Sequence, residues 1–113
     1  MQLQNEKMAN YAFLTDMYDD SYFPDDLVKK GENILIALCQ KIELTQPKTF
    51  AELYVLTHAT TEQFNELQEE FWEKESEIET AAREAIAHDF DVIAGAYGFT
   101  DADIEELIAT RDW

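Results

Sequence analysis

The chain has 113 residues, 46% of them hydrophobic and 12% aromatic, so it is sized for one domain and apolar enough to bury a core, which excludes global disorder. Its 25 Asp and Glu against 8 Lys and Arg leave a net charge of −17, a surface that repels nucleic acid and anionic membranes and attracts basic proteins. Three Gly, two Pro and one cysteine, Cys39, exclude collagen-like, low-complexity, turn-rich all-β and disulfide-framework classes.

The expected fold is all-α: a single-domain antiparallel bundle of four to five helices with short loops, over residues 1–113. The apolar spacing predicts a first helix from Asn5 to Asp19, with Tyr11, Leu14 and Tyr18 on one stripe and Met8, Phe13 and Met17 beside it. Pro24 suits the first turn of a second helix, and Asp25 and Asp26 suit the positive end of its dipole. That helix runs to Leu44, with Leu27, Ile34, Leu35, Leu38 and Ile42 inward. Gly31 on the same face permits a close helix crossing.

After the Pro47 stop, Thr49 to Glu52 reads as a capping box opening a third helix. Phe50, Leu53, Thr57, Thr60, Phe64, Leu67 and Phe71 form its stripe, and a kink or restart is expected at Thr60 and Thr61. Ser76 to Glu79 is a further capping box, predicting a fourth helix with Ala82, Ile86, Phe90 and Ile93 inward and Gly98 at its end. Thr100 to Asp103 caps a last short helix through Thr110, docked by Ile104, Leu107 and Ile108. Phe64, Leu67, Phe71, Ile86, Phe90 and Ile93 are expected to be buried together.

The opening ten residues are polar, and no run approaches the about 20 apolar residues that span a bilayer, so the expected compartment is the cytoplasm. Two stretches carry a resemblance: Ala9-Asn-Tyr-Ala-Phe-Leu-Thr-Asp-Met-Tyr-Asp-Asp-Ser-Tyr-Phe-Pro24, and the segment from Thr80-Ala-Ala-Arg-Glu-Ala-Ile-Ala to Asp112. Together they resemble a family of small acidic bacterial proteins, a domain of unknown function. The resemblance implies a bacterial source and supplies no activity or catalytic residue.

Chemistry-bearing patterns are few. Glu69-Glu-Phe-Trp-Glu73 resembles the E-E-x-x-E of all-α, MazG-like nucleotide pyrophosphatases, which hold Mg²⁺ with hard oxygen ligands. The E-x-x-D expected on the following helix is missing, and Asp89 and Glu84 could approach only as a departure from that pattern. His58 and His88 match no ligand spacing, and Cys39 among Leu35, Leu38 and Ile42 reads as a small buried hydrophobe. No catalytic residue, metal or cofactor is expected.

Two mixtures of acid and aromatic side chains remain. One is Asp16, Asp19, Asp20, Tyr22 and Phe23; the other is Glu62, Glu66, Glu69, Trp72 and Glu73. Aromatics anchor interfaces and charged rims steer encounter, so both are candidate partner surfaces. The expected function is a small non-enzymatic binding protein for a basic protein partner, in concrete form an immunity protein or antitoxin that neutralises a nuclease. The alternatives are a Mg²⁺-dependent nucleotide pyrophosphatase and a housekeeping adaptor. No nucleic acid or membrane is expected as partner, and a monomer is favoured.

Overall fold

A computed structural model describes residues 3–113. Six helices follow one another: α1 (Glu6–Ala9), α2 (Thr15–Tyr18), α3 (Asp25–Thr45), α4 (Phe50–Glu73), α5 (Thr80–Ala96) and α6 (Ile104–Leu107). The described residues contain no strand, and the protein is an all-α bundle. Its frame is the three long helices α3, α4 and α5; the other three are single turns packed against them. No helix among the described residues is long and apolar enough to cross a membrane.

The helix expected over Asn5 to Asp19 is instead two short turns. Asn5 caps α1 by accepting the Met8 N–H, and the Asn10 side chain donates back to the Glu6 carbonyl where α1 stops. Leu14 then adopts a left-handed conformation, φ 54°, before α2. The reason lies in the breadth of the apolar surface. Met8, Phe13, Leu14 and Met17 are all buried, and one straight helix would point some of them outward.

α3 begins at Pro24 and ends at Gln46, which takes the left-handed cap that glycine usually fills. Gly31 is buried in the crossing with the α1–α2 segment, where an added Cβ would stand 3.1 Å from Leu14 Cδ1 and 3.3 Å from Phe64 Cε1. Thr49 caps α4 as its capping box predicts, its hydroxyl accepting the Glu52 N–H at 3.1 Å.

α4 does not restart at Thr60 and Thr61 but runs continuously from Phe50 to Glu73. Both hydroxyls donate to carbonyls of the preceding turn, to Leu56 and Thr57, so the threonines stay inside the buried stripe without opening the helix. The Ser76 box is not formed. The Ser76 hydroxyl donates to the Tyr22 carbonyl at 3.0 Å, and α5 starts at Thr80. Gly98, φ 94°, ends α5, with the Phe99 N–H bonded to the Ala94 carbonyl. Asp103, not Thr100, caps α6.

The core joins all of these elements. Phe64 of α4 meets Phe90 of α5 with ring centroids 6.2 Å apart, and Leu67, Phe71, Ile86 and Ile93 are buried in the same core, as the spacing requires. Trp113 closes over Phe64, and Arg83 donates to its carbonyl.

Candidate functional site

α3 and α4 run antiparallel, so the start of α3 and the end of α4 share one end of the molecule. Lys30 of α3 pairs with Glu70 of α4 there. Phe23, just before α3, meets Phe71 edge-on with ring centroids 6.3 Å apart. The Ser76 hydroxyl bond to Tyr22 ties the α2–α3 connector to the α4–α5 connector. Two acidic segments some fifty residues apart in the chain, 19–26 and 69–79, thus become one acidic end. Lys74 is the single basic residue within them.

This end also carries the exposed aromatics. Tyr22 is 44% exposed and Trp72 53%. Phe23, taken from sequence as a surface anchor, is only 2% exposed. It belongs to the core, because its place before α3 aims it at Phe71, and Tyr22 is left as the aromatic of the connector that can reach a partner. Asp19 and Asp20 are exposed, and Asp20 accepts the Tyr22 N–H at 2.9 Å, shaping the turn that presents the ring.

The second predicted cluster is drawn out along α4. Glu62, Glu66, Glu69 and Glu73 are exposed on its outer side, and Glu62 accepts from Asn65. Trp72 faces a different side from Glu66, because six residues do not complete a whole number of helical turns. It stands with Glu69 and Glu73 at the acidic end. The last turn of α4 contains no basic residue. Glu70 and Glu73 therefore sit at the negative end of the helix dipole, an arrangement that costs stability.

Asp16 is exposed but lies elsewhere. It lines a groove of about 420 Å³ with Tyr11, Thr15, Glu84, His88 and Asp89. At its floor the buried Asp89 carboxylate accepts the Tyr11 hydroxyl at 2.6 Å and the Leu14 N–H at 2.8 Å. Burial raises the Asp89 carboxyl above its usual range, against the lowering pull of those two bonds. Burial and the Asp89 contact likewise push the Tyr11 hydroxyl up.

Asp89 therefore holds the α1–α2 segment and does not turn toward Glu69, Glu70 and Glu73. Sequence reasoning missed this cluster. The legible signal was an aspartate on the stripe of Ala82, Ile86 and Ile93, where an unpartnered charge would not be tolerated.

A second carboxylate fastens the start of the chain. Glu43 accepts from the backbone N–H groups of Gln4 and Asn5 and from the Tyr97 hydroxyl. Burial pushes its carboxyl up, but these bonds outweigh burial and hold it below the usual range. Cys39 is fully buried nearby, and burial pushes its thiol up to about 12, which leaves it protonated and inert. His58 stacks on Tyr54 and meets Glu106 of α6.

Among the described residues, no group of three or more His, Cys, Asp or Glu is arranged to hold a metal ion. Glu70 of the E-E-x-x-E spelling is engaged by Lys30, and Glu69 and Glu73 point outward.

Residues 7–113 match the family of unknown function DUF5713. The chain belongs to that family. No curated protein and no solved structure matches it. Membership in DUF5713 spans all six helices but α1's first residue, so the acidic end and the Asp89 cluster both lie inside the family's domain.

Proposed function

We propose that this DUF5713 protein is a non-enzymatic binding protein that acts in the cytoplasm by covering the cationic surface of a basic protein partner. Asp19, Asp20, Tyr22, Trp72 and Glu73 form the contact surface. In its most concrete form it is an immunity protein or antitoxin for a nuclease, whose active surface must be cationic to hold phosphates.

The observation that carries this reading is the convergence of two separate acid–aromatic segments at one end, with Tyr22 and Trp72 both exposed there. Two further facts support it. Carboxylates are retained at the end of α4, where the helix dipole disfavours them, and such local conflicts are expected at binding sites. Tyr22 and Trp72 also supply rigid contact area at low entropic cost, while the surrounding acid accelerates encounter.

The test is a comparative capture from source cells, read by quantitative mass spectrometry. The baits are wild type, Asp19→Lys/Asp20→Lys and Tyr22→Ala/Trp72→Ala. A basic protein enriched by wild type and lost from both variants is the expected result. Its purified form should then associate more slowly, with a flatter salt dependence, with the lysine variant. It should dissociate faster from the alanine variant. If every basic protein captured is retained equally by all three baits, the acidic end is not the binding surface.

A further inference from the structure

We propose that the groove between α2 and α5 is a binding site for an organic cation, an ammonium or guanidinium group carried on a short aliphatic stem. The groove encloses about 420 Å³. That is far more than a bare ion needs, and it lies within the range of about 300–1,000 Å³ typical of small-molecule sites. Its α5 wall is built from Ala81 and Ala85, one turn apart, whose single methyl groups leave the space open.

The observation that points to a cation is at the floor. Asp89 is 3% exposed, and it is the one buried residue among those described that carries a formal charge. None of the four ion pairs among the described residues includes it. Its charge is thus withdrawn from water with no fixed cation opposite, and buried charges are otherwise paired. Tyr11 and Leu14 donate one hydrogen bond to each of its oxygens. A carboxylate has about four acceptor positions, so about two are left for a ligand. The raised carboxyl of Asp89 agrees with a buried charge that lacks compensation.

The walls repeat the preference. Asp16 and Glu84 stand exposed at the rim, and neither belongs to an ion pair. No Lys or Arg lines the groove, and His88 is its one base. These carboxylates are not gathered closely enough to hold a metal ion. A group with several N–H donors can reach them from one point, since an ammonium offers three and a guanidinium five. Its stem would pack on Ala81, Ala85 and Leu14. The inference goes beyond the proposed basic partner, because it uses none of Asp19, Asp20, Tyr22, Trp72 and Glu73.

A free amine and the side chain of a lysine present the same group, and the choice of probes separates them. Amide NMR spectra are recorded while butylamine, agmatine, Nα-acetyl-lysine methylamide or neutral 1-butanol is added. About 0.15 M salt screens diffuse attraction to the acidic surface. The three cations should bind with Kd below about 10 mM, with shifts confined to residues 11–16 and 81–89, and 1-butanol should not. Tighter binding of butylamine or agmatine marks a free amine or guanidine as the ligand; tighter binding of the lysine derivative marks a protein side chain. Asp16→Asn/Glu84→Gln, both at exposed positions, should weaken binding by about tenfold. Glu62→Gln/Glu66→Gln, which removes the same charge from the outside of α4, should leave it unchanged. Absence of shifts with all three cations overturns the proposal. So do shifts scattered over the whole acidic surface, equal binding of 1-butanol, or equal weakening by the two double variants.

Discussion

Asp89 sits inside the bundle with both carboxylate oxygens engaged, one by Tyr11 and one by the Leu14 N–H. Leu14 occupies a left-handed conformation that costs a branched residue about 1 kcal/mol or more, and the bond to Asp89 is what holds it there. Asp89→Ala leaves two donors without a partner, each costing about 1–3 kcal/mol, so chemical denaturation should show a loss of about 2–6 kcal/mol. Asp89→Asn keeps an oxygen for Leu14 and should lose less.

The pH dependence has a definite sign. Burial raises the Asp89 carboxyl in the folded state, so between the unfolded value of about 3.9 and the raised folded value the folded protein binds the proton more tightly. This site's contribution is therefore greatest below that window and falls as pH rises through it. Wild type should lose ground to Asp89→Asn as denaturation is repeated from about pH 4 to pH 7. A constant difference between the two across that range would contradict the burial argument.

At the scale of elements, the packing of α3 and α4 is set by what is missing at Gly31. The buried Leu14 and Phe64 side chains fill the space a side chain would need, at 3.1 and 3.3 Å from the Cβ position. Gly31→Val should therefore destabilise by about 1–3 kcal/mol through overpacking, despite a better helix former than glycine standing there. Phe90→Ala, which removes a fully buried ring packed against Phe64, should cost about 3–5 kcal/mol. Denaturation midpoints of the two variants check both numbers. A Gly31→Val protein as stable as wild type would mean that the crossing has slack the contact distances do not show.

For the whole molecule, charge distribution matters more than total charge. The four ion pairs found among the described residues are surface pairs, and exposed pairs contribute little. Most of the 25 carboxylates therefore repel one another without compensation. Raising salt from low to physiological levels should increase the thermal midpoint by screening that repulsion. A flat or falling midpoint would show that the carboxylates are better balanced than these pairs account for. Ten of the 25 carboxylates lie in segments 19–26 and 69–79 at the acidic end, and the rest are spread over the other elements.

The sequence by itself determined the helical class, the inward stripes of α3 and α5, that of α4 from Leu53 to Phe71 though not at the exposed Phe50, and the Thr49 and Gly98 caps. These depend on neighbours within a turn, whose spacing is written in the chain. Six core residues from Phe64 to Ile93 could be named from periodicity alone for the same reason. Only the tertiary structure decided that Asn5 to Asp19 breaks at Leu14, because the captor is Asp89, 75 residues away. It alone decided that Ser76 serves Tyr22 in place of a helix cap, and that Phe23 is core while Tyr22 is surface. It also decided that, while Asp16, Glu62 and Glu66 stand apart, Asp19, Asp20 and Tyr22 share one end with Glu69, Trp72 and Glu73. Their proximity comes from the antiparallel course of α3 and α4, and no local pattern in either segment encodes where the other one ends.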